Sequence, residues 1–238
     1  MHYGVKSLIS VHNPSVELYQ ASMSEMWVQN GWGDQLNGLQ AGWIVSPELN
    51  EDNHTRLFVL STRDGYNTSC FTTLCNHFVQ TSGTYPVDSE LTQISIYEGD
   101  EYTLELSIYR DNVTSNWWLL AKGTEKIGYW PKELFPQLND GALYVAWGGL
   151  VTSPPNHPSA PMGNGRRPVD PLSFKRAAYF RDLHVVDASS AYKDPDEKEF
   201  QVYTDDRSYC YGMVNAGYVQ TMGHTILYGG PGGNDCGP

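Results

Sequence analysis

The feature that most constrains the fold of this chain is a side-chain alternation of period two. It is clearest at residues 101–110, where an apolar set alternates with a more polar set: Tyr102, Leu104, Leu106 and Ile108 against Thr103, Glu105, Ser107 and Tyr109. Successive side chains of a β-strand point to opposite faces of a sheet, so this pattern predicts a half-buried strand. A helical period is nearly absent from the chain.

Further short apolar runs predict strands, and turn-forming residues separate them. The runs are 56–60, 93–97, 116–121, 126–130, 142–147, 179–186 and 225–228. Regular short strands of this kind are typical of an all-β, antiparallel double-sheet sandwich or of a barrel. Sandwiches commonly reach ~200–250 residues as one unit. We therefore expect one domain, residues 1–238.

One short helix and two loops interrupt the strand pattern. The helix is expected at residues 131–135, because Pro131 suits a first helical position and Pro136 is poorly tolerated deeper in a helix. The proline-rich residues 151–173 and the polar residues 187–198 predict two long loops.

The charge of the chain limits its partners. It has 27 acidic against 15 basic side chains, a formal net charge of −12. Such a chain repels the phosphates of nucleic acids and anionic membrane surfaces, so neither is an expected partner. No apolar run approaches the ~18–20 residues that span a bilayer.

The cysteines form one close pair, Cys70 and Cys75, and one late pair, Cys210 and Cys236. Proximity in sequence favours two disulfides with this pairing. Zinc is the rival interpretation, but the spacing is not CxxC and only His77 lies near a cysteine. No metal or other cofactor is expected.

Acceptor sequons for N-glycosylation occur at Asn53, Asn67 and Asn112. Together with paired cysteines they predict a secreted glycoprotein, extracellular (apoplastic) or vacuolar. The start of the chain does not resemble a signal peptide, so we expect the export signal to lie upstream of this fragment.

Ordered motifs over nearly the whole chain resemble the plant neprosin family. They are HYGVK at 2–6, SMSEMWVQNG at 22–31, AGW at 41–43, PEL at 47–49, TRDGY at 62–66, CFTTLCNHFVQ at 70–80, NWWL at 116–119, GYWPKELF at 128–135, WGG at 147–149, YFRDL at 179–183 and YGGPG at 228–232. The resemblance implies a double-sheet β-sandwich, secretion with a leader and propeptide, and a glutamic endopeptidase that cuts after proline in acid.

The same resemblance places the two catalytic glutamates directly before Ala-Gly-Trp and directly after the Gly-Gly pair. Here Gln40 and Leu150 hold those positions. Gln40 alone would not end the chemistry, because related fungal glutamic peptidases pair a glutamine with a glutamate. Leucine, however, neither accepts a proton nor orients a water, and general base catalysis typically contributes ~10²–10⁴-fold. We therefore expect negligible glutamic-peptidase activity.

Other side chains near the lost dyad define the expected cleft. Trp43, Tyr129 and Trp147 are predicted to line it, with Asp140 beside them, since aromatic faces suit proline rings and sugars alike. For single tryptophans, core packing is the competing interpretation. The acidic candidates nearest in sequence to replace the base are Glu48, Glu133 and Asp140.

Three functions remain open from the sequence. The first is a pseudopeptidase that binds a peptide, a cell-wall glycan or a small molecule in the old cleft. The second is a cleft reused by a non-proteolytic enzyme acting on a small molecule. The third is residual post-proline endopeptidase activity that uses an unidentified carboxyl group.

Overall fold

The chain folds into two packed antiparallel β-sheets. The computed structural model describes residues 1–204 and 209–236. In chain order, the strands are β1 (Gly4–Ser10), β2 (Ala21–Asn30), β3 (Asn37–Val45), β4 (Arg56–Thr62), β5 (Ser69–Phe71), β6 (Val79–Gln80), β7 (Thr103–Arg110), β8 (Trp117–Ala121), β9 (Glu125–Trp130), β10 (Tyr144–Thr152), β11 (Ala178–Val186), β12 (Tyr192–Lys193), β13 (Gly212–Val219) and β14 (Gly223–Gly229).

The strands divide into a larger and a smaller sheet. Within the described residues, the larger sheet has nine strands in the order β13-β14-β11-β1-β7-β8-β9-β6, with β12 paired to β11. The smaller sheet has five strands in the order β10-β2-β3-β4-β5. Adjacent strands run antiparallel throughout. The predicted all-β double-sheet sandwich is confirmed.

A dense apolar core fills the space between the sheets. Its largest fully buried side chains include Trp43, Trp117, Trp130, Phe135 and Phe180. Polar contacts also join the layers: the Trp43 indole donates to the carbonyl of Ser10 at 2.8 Å, the buried Tyr228 hydroxyl donates to the Ser24 hydroxyl, and the Ser7 hydroxyl donates to the Met26 sulfur at 3.2 Å. Core packing therefore occupies the inner face of the five-stranded sheet, which leaves the outer face for a candidate site.

Most predicted strands form, but one does not. Residues 93–97 are not a strand: the amide of Ser95 donates to the carbonyl of Val11 at 2.8 Å, and the amide of Ile96 donates to that of Asp100 at 2.8 Å. The segment therefore turns back on itself at Gly99 and does not continue a ladder. Strand β10, by contrast, extends to Thr152, so the predicted loop at 151–173 begins two residues late.

The predicted helix at residues 131–135 is a pair of short 3-10 turns, Lys132–Leu134 and Pro136–Leu138. Pro136 starts the second turn, which prevents the first from continuing as an α-helix. The only α-helix in the described part of the chain is α1 (Pro47–Asn50), which begins at Pro47. No helix there is long and apolar enough to cross a membrane.

Both predicted disulfides are confirmed. Cys70 bonds to Cys75 in the turn after β5, and Cys210 bonds to Cys236. The second bond ties the segment before β13 to the segment after β14. It therefore closes the end of the nine-stranded sheet that β13 and β14 form.

Candidate functional site

Gln40 and Leu150 lie on one face of the five-stranded sheet. Residues paired across antiparallel strands share a face, and the registers of β3, β2 and β10 give three successive rows. The rows are Gln40, Trp27 and Ala146, then Gly42, Glu25 and Gly148, then Ile44, Met23 and Leu150. The intervening residues, such as Trp43 and Met26, belong to the core. These three rows therefore lie on the outer face, away from the nine-stranded sheet.

Gln40 and Leu150 stand at opposite corners of this grid. Gln40 is on β3 and Leu150 on β10, with β2 between them and four residues of offset along the strands. At ~4.8 Å between strands and ~3.4 Å per residue, their Cα atoms are about 16 Å apart. Gln40 is 3% exposed, whereas Leu150 is 43% exposed. The two side chains therefore form no direct pair.

Glu25 occupies the centre of the grid, between Gln40 and Leu150. Its side chain has no exposed surface, and neither carboxyl oxygen has a hydrogen-bond partner. Burial raises the pKa of the Glu25 carboxyl well above its ordinary value, because a charged carboxylate is far costlier to bury than a neutral acid. Burial thus favours the neutral acid form of Glu25 in the middle of the face.

Two glycines flank Glu25 in its row. A Cβ on Gly42 would lie 1.9 Å from the carbonyl oxygen of Ser24, so β3 approaches β2 more closely here than any side chain allows. A Cβ on Gly148 would lie 3.7 Å from the ring of Trp27, which passes beside the row. The next residue, Gly149, makes room on the inner face for Met162 and Tyr228. The Trp-Gly-Gly string therefore shapes both faces of β10.

Tyr66 holds the polar end of this face. Its hydroxyl accepts hydrogen bonds from the side-chain amides of Gln40 and Gln29. It lies over Gly38, where a Cβ would come within 2.9 Å of the hydroxyl oxygen. Burial, and secondarily the nearby Glu25, raises the pKa of Tyr66 to about 12, although hydrogen bonds from the two amides oppose the shift. The Gln40 amide is therefore engaged by a phenol that stays protonated.

Replacing Tyr66 with phenylalanine is expected to destabilise the fold by about 1–3 kcal/mol, because the buried Gln40 amide loses its acceptor. Urea unfolding measures the change. The matched control is Tyr19→Phe, since Tyr19 is 61% exposed. A Tyr66→Phe variant as stable as this control would show that the amide finds another partner.

The other cleft residues predicted from the sequence lie elsewhere. Trp43 has no exposed surface and belongs to the core. Trp147 is on the inner face of β10, where its ring lies 6.4 Å from that of Phe200. Tyr129 is on β9 of the other sheet and packs against Trp118. Asp140 is exposed in the turn before β10. The structure does not bring these four residues together with Gln40 and Leu150.

The three acids considered as substitute bases are also placed apart from the grid. Glu48 is exposed on α1, and Glu133 and Asp140 are exposed near the 3-10 turns. Glu25 is the carboxyl that the sequence argument missed. One signal was available: Glu25 is the sole charged residue of the segment SMSEMWVQN, whose other residues are apolar or uncharged polar.

A comparison with known protein families identifies the domain. The sequence model of the family described as Neprosin matches residues 18–231. This chain belongs to the neprosin family. The match covers β2, β3 and β10, so the grid that holds Gln40, Glu25 and Leu150 lies inside the neprosin domain.

Two further features of this neprosin domain concern glycosylation and metal binding. Asn53, Asn67 and Asn112 are all exposed, so each sequon is open to modification. Among the described residues, no group of three or more His, Cys, Asp or Glu side chains is placed to hold a metal ion.

Proposed function

We propose that this neprosin-family protein binds an extended peptide on the outer face of its five-stranded sheet and does not cleave it. The observation that supports the proposal most directly is the state of Glu25. Among the strand residues of this face it is the single carboxyl, and it has no exposed surface. A general base must be ionised and within hydrogen-bond reach of a water, either directly or through one water. Glu25 in this conformation meets neither condition.

The position of β10 at the edge of the sheet favours an extended peptide as the ligand. Strand β10 ends the five-stranded sheet, and its far edge makes no backbone hydrogen bond within the described residues. An unpaired edge accepts an additional strand from a peptide, which gains main-chain hydrogen bonds. Tyr144 and Leu150 are each 43% exposed along this strand and offer apolar contacts for alternate side chains of such a peptide.

Titration of the ¹⁵N-labelled protein with an unstructured, proline-containing peptide tests the proposal. We expect amide shift changes along β10 and near Tyr66, and a peptide of unchanged mass after prolonged incubation at acid pH. A Leu150→Lys variant should bind more weakly. Val113→Lys is the matched control, because Val113 is 92% exposed in the turn between β7 and β8, in the other sheet. Equal loss in both variants, or shifts confined to the other sheet, would refute this binding face.

A second candidate function follows from the position of Glu25. A neutral carboxylic acid next to Gln40 is suited to donate a proton to a substrate carbonyl, while the Gln40 amide serves as a hydrogen-bond donor. This arrangement would retain weak acid proteolysis. It requires the side chains over Glu25 to open, since substrate cannot reach the carboxyl in the observed packing.

A single variant separates the two candidates. If Glu25 serves catalysis, Glu25→Gln should abolish any cleavage while the bound peptide still shifts the β10 amides. If the protein only binds, wild type and Glu25→Gln should both leave the peptide intact. Cleavage that survives in Glu25→Gln would exclude Glu25 as the acid.

We also propose that the protein is a secreted glycoprotein. The two disulfides and the exposed Asn53, Asn67 and Asn112 support this compartment. Protein expressed through a eukaryotic secretory route is expected to lose mass on enzymatic deglycosylation. Variants in which each asparagine is changed to glutamine would assign the sites, and an unchanged mass in the wild type would contradict the proposal.

A further inference from the structure

A second concave region lies on the opposite side of the molecule, on the outer face of the nine-stranded sheet. It consists of a cleft of about 930 Å³ and an adjoining one of about 450 Å³. Both are lined by Arg181, Thr221 and Met222. Arg181 is on β11, paired with Leu8 of β1. This guanidinium therefore stands where the two clefts meet.

Arg181 is unpaired in the described part of the chain. Its Nε is shielded from solvent and has no hydrogen-bond partner, and no carboxylate forms an ion pair with it there. The neighbouring cations differ. Lys6 lies 3.2 Å from both Glu105 and Asp182, and Arg176 lies 2.8 Å from Glu98. A second polar atom in the larger cleft, the buried Oγ of Ser173, also has no partner.

The other lining groups include aromatic rings, hydrogen-bond acceptors and two further cations of the larger cleft, Lys175 and Arg176. In that cleft Phe174 meets the buried Tyr179 edge to face at 6.3 Å, and Tyr218, 62% exposed, borders the smaller cleft. Carboxylates at several points of the walls accept hydrogen bonds: Glu101, Asp170, Asp182 and Asp194. Flat rings beside many acceptors suit a ligand rich in hydroxyl groups.

We propose that this double cleft binds an acidic sugar, with the carboxylate of a uronic acid unit on Arg181 and its hydroxyls on the surrounding acceptors. A guanidinium pairs with a carboxylate through two parallel hydrogen bonds, so one arginine matches one such group. A dianionic phosphate fits less well, because four carboxylates surround the site and the chain carries a net charge of −12. Arg181 is on β11, an inner strand of the nine-stranded sheet, and a peptide paired as a strand needs a sheet edge, so this position disfavours it.

Binding of a galacturonic acid dimer, measured by calorimetry and by amide shift mapping, tests this inference. We expect shifts around Arg181, Thr221 and Met222. The neutral galactose dimer of the same size should bind at least about tenfold more weakly, because it lacks the charge-assisted pair. No binding of the acidic dimer, equal binding of the neutral dimer, or shifts that map to β10 would overturn the proposal.

Two variants locate the interaction. Arg181→Gln should weaken binding of the acidic dimer by about tenfold or more, whereas Arg63→Gln, which removes an exposed cation that lines neither cleft, should change it little. Arg181→Lys keeps the charge but not the paired hydrogen bonds, and it should bind with intermediate affinity. If Arg181→Gln fails to fold, Arg181→Lys decides: affinity equal to that of the wild type would contradict a bidentate arginine contact.

Discussion

Replacing Glu25 with methionine is expected to stabilise the protein near neutral pH and to remove part of the pH dependence of its unfolding free energy. Burial raises the pKa of Glu25 in the folded state above its ordinary value of 4.5. The folded state therefore holds this proton more tightly than the unfolded state does. The stability contributed by the neutral acid is complete below the unfolded pKa and is lost as pH rises towards the folded pKa, by up to about 1.4 kcal/mol per pH unit.

The measurement is urea unfolding from pH 4 to pH 8 for Glu25→Met and wild type, read as the difference between the two proteins. His12 works in the opposite direction, because burial lowers its pKa to about 4 and stability falls as pH drops below the ordinary histidine value. Taking the difference cancels that contribution. Glu133→Met, at an exposed acid, is the matched control. A difference that does not grow with pH would show that Glu25 is not held as a buried neutral acid.

Placing glutamates at both predicted catalytic positions, Gln40 and Leu150, is expected to produce acid proteolysis after proline. Leu150 is 43% exposed on an edge strand, so a glutamate there should cost little stability. Gln40→Glu is nearly isosteric, and the new carboxyl keeps a hydrogen-bond partner for the Tyr66 hydroxyl. With a separation of about 16 Å between the two Cα atoms, two extended glutamates would leave room for a water and a peptide bond. We expect a gain of ~10²–10⁴-fold over wild type in the double variant.

The single variants are the controls, and neither is expected to cleave, since each supplies one carboxyl only. Circular dichroism and unfolding must first show that the double variant is folded. A folded double variant without activity would mean that the outer face has been reshaped beyond the two substitutions. A single variant as active as the double would mean that Glu25 already supplies the second carboxyl.

The fold was accessible from the sequence because period two is a local property. The strands at 56–62, 103–110 and 178–186 follow from alternation and from the turns between them. The strand predicted at 93–97 was wrong because strand formation also requires a pairing partner. Apolar content in a segment does not supply one. Both disulfides were also predictable, since their cysteines are close in sequence.

The residues of the candidate site were only partly predictable from the sequence. Gln40 and Leu150 were predicted from their anchoring motifs, but Glu25 was not, because strand pairing places it between them across the sheet and not along the chain. The alternation of faces along a strand also bears on the tryptophans. Trp43 is three residues from Gln40 and Trp147 is three residues from Leu150, an odd spacing that places each on the opposite face of its strand. The period therefore separates both tryptophans from the face that holds Gln40 and Leu150.

The most direct test of the central claim is incubation of the wild-type protein with an unstructured proline-rich protein at acid pH. The products are read by mass spectrometry beside a heat-denatured sample of the same preparation. The neutral, enclosed Glu25 and the apolar Leu150 predict identical spectra for the two samples. Peptides that end in proline and appear only with the folded protein would contradict the account and would direct attention to Glu25 as the acting carboxyl.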